Sequence, residues 1–129
     1  MNSIADFLIN DYGWYEGTAK AMERADGICE YCREDLLSSR AGYSSICIDH
    51  LLPRAKYQSE EINLDNYALS CSSCNTMKQA YDPLLKDEDA KKMLSEKRND
   101  LIQRVQTHLK PKIEKRMQEW QHIHDEIRS

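Results

Sequence analysis

Two Cys-x-x-Cys pairs, Cys29-Glu-Tyr-Cys32 and Cys71-Ser-Ser-Cys74, and the run Cys47-Ile-Asp49-His50 hold most of the residues in this chain whose types could do chemistry. A two-residue spacer lets both sulfurs of a tight turn face one ion, and zinc prefers four such ligands in a tetrahedron. Two knuckles therefore make one site. A redox reading of either pair would require a thioredoxin-like strand and helix pattern around it, which is absent. Zinc saturated by Cys29, Cys32, Cys71 and Cys74 has no open position for water, so it is scaffold. The 38 residues between the knuckles are a segment whose ends the metal pins together.

Chemistry is then expected inside that segment. The imidazole of His50, with an unperturbed pKa of about 6.5, is suited to take a proton from water. Asp49 stands beside it, and neighbours on a strand point to opposite faces, so the two need a twist or bulge to serve one site. Cys47, between Ile46 and Ile48, reads as a small buried strand residue. His108, His122 and His124 have no nearby partners of the right kind and read as surface or interface.

The elements that must position these groups differ in texture along the chain. Residues 3–25 read as helix, with Ile4, Phe7 and Leu8 on one face, a break at Asp11 to Gly13, and a second helix from Trp14 to Ala25. Asp26-Gly27 is a turn into the first cysteine pair. Residues 28–83 are mixed, with "SICID" as a strand between polar loops. From Asp87 to Ile127 an apolar stripe at helical spacing, including Leu101, Val105, Leu109, Ile113, Trp120 and Ile127, predicts long helix. Pro111 is expected to kink or split it near Lys110. The organisation expected is one compact α+β domain: an N-terminal helical segment (1–25), a core (26–83) and an amphipathic C-terminal helical extension (84–129).

Length, charge and hydropathy bound the rest. A chain of 129 residues suits one domain, and 31% charged residues with four Gly and three Pro is the composition of a soluble globular protein. No run of eighteen apolar residues is present, and "MNSIADFLINDYGW" lacks a basic segment followed by an apolar one. The expectation is a cytoplasmic protein without membrane partners, where paired cysteines bind metal sooner than they form disulfides. Net charge is −4, with 7 Lys+Arg against 13 Asp+Glu in residues 1–83 and 11 against 9 in residues 84–129. Such a chain has no long-range attraction for a polyanion, so any nucleic-acid contact is local or helped by a partner.

Read in order, Cys29-x-x-Cys32, Asp49-His50, Pro53, Asn66, Cys71-x-x-Cys74-Asn75 and Lys78 form a set that resembles the HNH endonuclease family, whose fold is the ββα-metal (His-Me) finger. The resemblance covers about residues 24–82, and its motifs stand here as "DHLLP" and "NYALSCSSCNTMK". It implies His50 as general base, with Asp49 and Asn75 as oxygen ligands of a catalytic Mg²⁺ or Mn²⁺ beside the structural Zn²⁺. Asn75 replaces the terminal histidine of the family name, which leans the site toward Mg²⁺ or Mn²⁺. Asn66 matches the middle letter and is expected to fasten the loop that holds His50. Lys78, one helical turn past Asn75, is expected at a substrate phosphate, as are Arg54 and Lys56 from the loop after the strand. The glycine that family members often carry beyond the proline is missing from "PRAKYQSEEIN".

The activity implied is cutting or nicking of DNA, with RNA not excluded. The alternative is a catalytically silent, zinc-stabilised module that binds nucleic acid or protein. A third reading makes the chain the nuclease subunit of a restriction or phage-defence assembly. Its striped C-terminal helix would then serve protein contact or self-association.

Overall fold

The computed structural model describes residues 3–129. Helices α1 (Ile4–Tyr12) and α2 (Glu16–Ala25) are separated at the expected break. Ser3 and Asp6 form a reciprocal cap at the start of α1, and Gly13 ends it at φ 70°, in the left-handed region that glycine enters freely. Ala5, Leu8, Ala19 and Met22 from these helices pack with Leu69 as one apolar cluster.

After the first knuckle and a short helix α3 (Arg40–Ser44), strand β1 (Ile46–His50) pairs antiparallel with β2 (Tyr67–Cys71). Helix α4 (Ser72–Lys78) follows at once, capped by the Cys71 sulfur on the Cys74 N–H. This β1, β2, α4 order is the two-stranded ribbon and helix of a ββα finger, and it carries the α+β class expected of the chain. The ladder runs Ile46↔Cys71, Cys47↔Ser70, Ile48↔Leu69, Asp49↔Ala68 and His50↔Tyr67. Ile46 and Ile48 face the N-terminal helices. Asp49, of opposite parity, faces the other layer.

That other layer holds the larger core. Leu51, Leu52, Leu94, Leu101, Val105 and Leu109 are at its centre, contributed by the loop after β1 and by helices α5 (Ala90–Glu96) and α6 (Arg98–Arg128). The C-terminal helix departs from expectation in two ways. Its break falls at Lys97, at φ −134° and ψ 34°, and the chain stays helical through Pro111. Leu94 before the break and Leu101 after it both reach the same core, which the apolar stripe alone does not reveal. At Pro111 one backbone donor is lost, yet Leu109 and Ile113 on either side still pack on the core and hold the helix together.

Candidate active site

The four cysteines of the knuckles converge. Their sulfurs all lie within 4.8 Å of one another, and Cys32 Sγ is 3.9 Å from Cys71 Sγ. A tetrahedron with Zn–S bonds of about 2.3 Å has edges of about 3.8 Å, so the donor set and its spacing fit zinc. Backbone N–H groups support the sulfurs: Cys32 and Cys71 donate to Cys29 Sγ at 3.5 and 3.4 Å, and Cys74 donates to Cys71 Sγ at 3.4 Å. Contacts with the Cys32, Cys71 and Cys74 thiols hold the Cys29 thiol far below its ordinary value, while Cys32 and Cys74 are pushed up by contact with Cys29. Sulfurs this close share protons unless a dication balances their charge.

Cys47 is not part of this cluster. It is half-buried in β1, its thiol directed at the Ser70 carbonyl 3.5 Å away, and burial pushes its pKa up to about 11.

At the end of β1 the His50 ring is fixed from two sides. Its Nε2 lies 2.8 Å from the Glu61 carbonyl oxygen. A carbonyl only accepts, so Nε2 carries the proton and the neutral ring presents its lone pair at Nδ1. The ring also meets Tyr67 edge-on at 5.5 Å. Gly17 lets α2 lie against Tyr67: a Cβ there would stand 2.7 Å from Tyr67 Cε2.

Asn66 ties down the loop that supplies Glu61. Fully buried, it accepts from the Leu52 N–H at 2.7 Å and donates to the Leu52 and Glu60 carbonyls, each at 3.2 Å. One amide thus joins both ends of the loop between the strands.

Asp49 is buried and held through one oxygen. Its Oδ2 accepts from the Tyr31 hydroxyl at 2.6 Å and forms an ion pair with the Lys78 ammonium 3.0 Å away. Oδ1 has no partner among the described residues and is not sealed from solvent. Burial and the Asp49 charge push the Tyr31 hydroxyl well above its ordinary value, so it remains a donor. Lys78, expected at a substrate phosphate, is itself buried and also donates to the His50 carbonyl at 3.0 Å. The face of α4 that carries it packs on β1, so its cation serves the carboxylate. Asn75, three residues earlier, shares that face of α4, and its side-chain amide has no partner among the described residues.

The bulge anticipated between Asp49 and His50 is absent. β1 pairs residue for residue through both positions, so their side chains leave opposite faces of the strand. His50 is the last residue of β1, so the strand's end is the place from which both can be approached.

Arg54 and Lys56 lie on the loop beyond. Arg54 is 65% exposed and 3.7 Å from Glu61; Lys56 is 67% exposed and bonded to Asp82 at 2.9 Å. Burial opposes ionisation of Asp82, but bonds from Tyr57 and Lys56 hold its pKa below the ordinary value. His108 stacks on Tyr81 at 3.8 Å.

Residues 29–80 match the family model described as HNH endonuclease. Over this segment the chain is similar to the HNH family. No curated protein and no solved structure matches the chain. The HNH match begins at Cys29 and ends two residues past Lys78, so it spans both knuckles, β1, β2 and α4. The match supports a nuclease-type function at the level of the family, in which metal dependence is general.

Outside the short motifs, the HNH segment is braced by residues that sequence reasoning did not single out. Glu30, within the first knuckle, is buried; it accepts from the Leu69 N–H at 2.7 Å and receives Arg98 of α6 bidentately at 2.9 and 3.2 Å. Arg98 also donates to the Asp65 and Tyr67 carbonyls, at 2.9 and 2.7 Å, and Arg24 of α2 donates to those of Leu64 and Tyr67. Tyr31 is a further one, and its only signal is an aromatic residue inside a Cys-x-x-Cys spacer.

Proposed function

We propose that the protein is a metal-dependent endonuclease that hydrolyses phosphodiester bonds of DNA, with His50 as general base. The observation that supports this most is the His50 hydrogen bond: with Nε2–H on the Glu61 carbonyl, Nδ1 is the nitrogen left to take a proton from water. Asn66 keeps that carbonyl in place by closing its loop.

Asp49, through Oδ1, and Asn75 would hold one Mg²⁺ or Mn²⁺. When bound, such an ion supplies charge to the scissile phosphate and the departing 3′ oxygen. Tyr31 and Lys78 occupy Oδ2, so the carboxylate is offered through one oxygen in a fixed orientation. Arg54 and Lys56, exposed beside the end of β1, are assigned to backbone phosphates of the substrate. The phosphate is proposed to sit at that end, where Asp49 and His50 can act from the two sides of the strand.

The test is nicking of supercoiled plasmid with Mg²⁺ or Mn²⁺, with single-stranded RNA as a parallel substrate. His50→Ala should lower the rate by about 10² to 10⁴ while zinc content and circular dichroism stay unchanged. Cleavage equal to wild type by His50→Ala would end the mechanism.

A second reading, a silent zinc-stabilised binding module, is favoured by the Lys78 ammonium, an internal cation already on Asp49. It requires DNA binding without hydrolysis under any divalent ion, and no Mn²⁺ uptake beyond the zinc site.

A further inference from the structure

Residues 114–129 are exposed at every position, so the last turns of α6 bury little against the rest of the fold. The helical residues 114–128 span about 22 Å. A helix of that length without packing is marginal in water, because most helical stability in proteins comes from burying an apolar face. This segment has such a face. Met117, Trp120, Ile123 and Ile127 are 50 to 73% exposed and, with Ile113, fall within about a third of the helix circumference at 100° per residue.

The charges say what covers that face. Residues 110–116 carry Lys110, Lys112, Lys115 and Arg116 against Glu114, whereas residues 117–127 carry Glu119, Asp125 and Glu126 and no Lys or Arg, with Arg128 following. Trp120 lies midway between Ile113 and Ile127. We propose that this segment of α6 is a dimerisation helix that pairs antiparallel with the same segment of a second copy, about a two-fold axis near Trp120. Antiparallel pairing sets the basic half of each helix against the acidic half of the other and brings Ile113 opposite Ile127 and Met117 opposite Ile123. Parallel pairing would set like charge on like. A surface that carries both halves of a complementary pattern is matched by its own copy, as an isologous interface requires. About four turns of helix make a small interface, so association is in the micromolar range. The inference does not depend on nuclease activity, since the readout is mass.

Sedimentation equilibrium of the full, zinc-loaded chain from low to high micromolar concentration should show a reversible monomer–dimer equilibrium. Trp120→Lys should weaken it at least about tenfold, with zinc content and thermal unfolding unchanged because Trp120 lies outside the core. The triple change Glu119→Lys, Asp125→Lys, Glu126→Lys should abolish self-association. Mixing it with Lys110→Glu, Lys112→Glu, Lys115→Glu should restore a dimer. A wild type that is monomeric throughout overturns the proposal and leaves the face to a different protein. A dimer that survives both Trp120→Lys and the acidic-half reversal overturns the surface, and efficient disulfide cross-linking of Ser129→Cys chains overturns the antiparallel order.

Discussion

The Tyr31 hydroxyl donates to Asp49 Oδ2 at 2.6 Å, and Tyr31 sits between Cys29 and Cys32 of the four-cysteine cluster. That cluster and the proposed catalytic carboxylate are therefore joined by a single buried side chain. Removing that hydroxyl leaves the zinc ligands intact and frees Asp49 to turn. Tyr31→Phe is expected to weaken Mn²⁺ binding by about 10- to 100-fold, the usual cost of losing a group that orients a ligand. Electron paramagnetic resonance of bound Mn²⁺ reads this directly, and metal analysis should still find one zinc. Unchanged Mn²⁺ affinity would mean that Tyr31 only fills space.

Asn66 makes three hydrogen bonds from a fully buried position. Asn66→Ala strands the Leu52 N–H and should cost about 1 to 3 kcal/mol in urea unfolding of the zinc-loaded protein. Asn66→Asp should cost more, because a carboxylate oxygen would face the Leu52 and Glu60 carbonyls. Equal stability of the two variants would show that the donated bonds are unimportant.

The Glu30–Arg98 pair is shielded on both sides, with side-chain exposures of 9% and 14%. Arg98→Ala leaves Glu30 buried with Arg24, 3.7 Å away, as its remaining cation, and a loss of about 1.5 to 3 kcal/mol is expected in the same unfolding assay. Arg98→Lys should recover only a minor part, since an ammonium cannot span both carboxylate oxygens and two carbonyls. Full recovery by lysine would reduce the contact to simple charge.

Burial raises the Cys47 pKa to about 11, with the neighbouring acidic groups adding to it. A raised thiol pKa favours the neutral form in the fold, so the reactive thiolate is scarce below that pH. With zinc bound, alkylation of Cys47 by iodoacetamide should be slow at neutral pH and accelerate only as pH approaches about 11. Stability from the buried thiol is present below the ordinary thiol value and declines above it as the unfolded chain ionises first. Rapid neutral-pH labelling of Cys47 in folded protein would contradict this.

Much of this architecture was legible in the sequence because it depends on local pattern. Spacing located the cysteine knuckles, Gly13 marked the first helix end, and the short apolar run "SICID" marked β1. The features that escaped are set by partners far away in sequence. Lys78 lies one turn from Asn75 on any helix, but whether that face meets solvent or β1 depends on how α4 docks. The Lys97 break exists because Leu94 and Leu101 must reach one core from two directions. Nothing near Glu30 announces Arg98. The unbroken ladder through Asp49 and His50 likewise reflects pairing with β2, which the "CIDH" run by itself does not encode.

Glu30 and Arg98 are 68 positions apart, and the Glu30 carbonyl waits for Gln106, 76 positions on. A ribosome delivers the knuckles, both strands and α4 well before it delivers the first turns of α6. Contacts between such distant positions close late, after local ones have formed. The nascent chain thus carries its four clustered cysteines and His50 while Glu30 still lacks Arg98 and the larger core lacks Leu101, Val105 and Leu109. In this order of assembly the segment around His50 is braced only once α6 has been made.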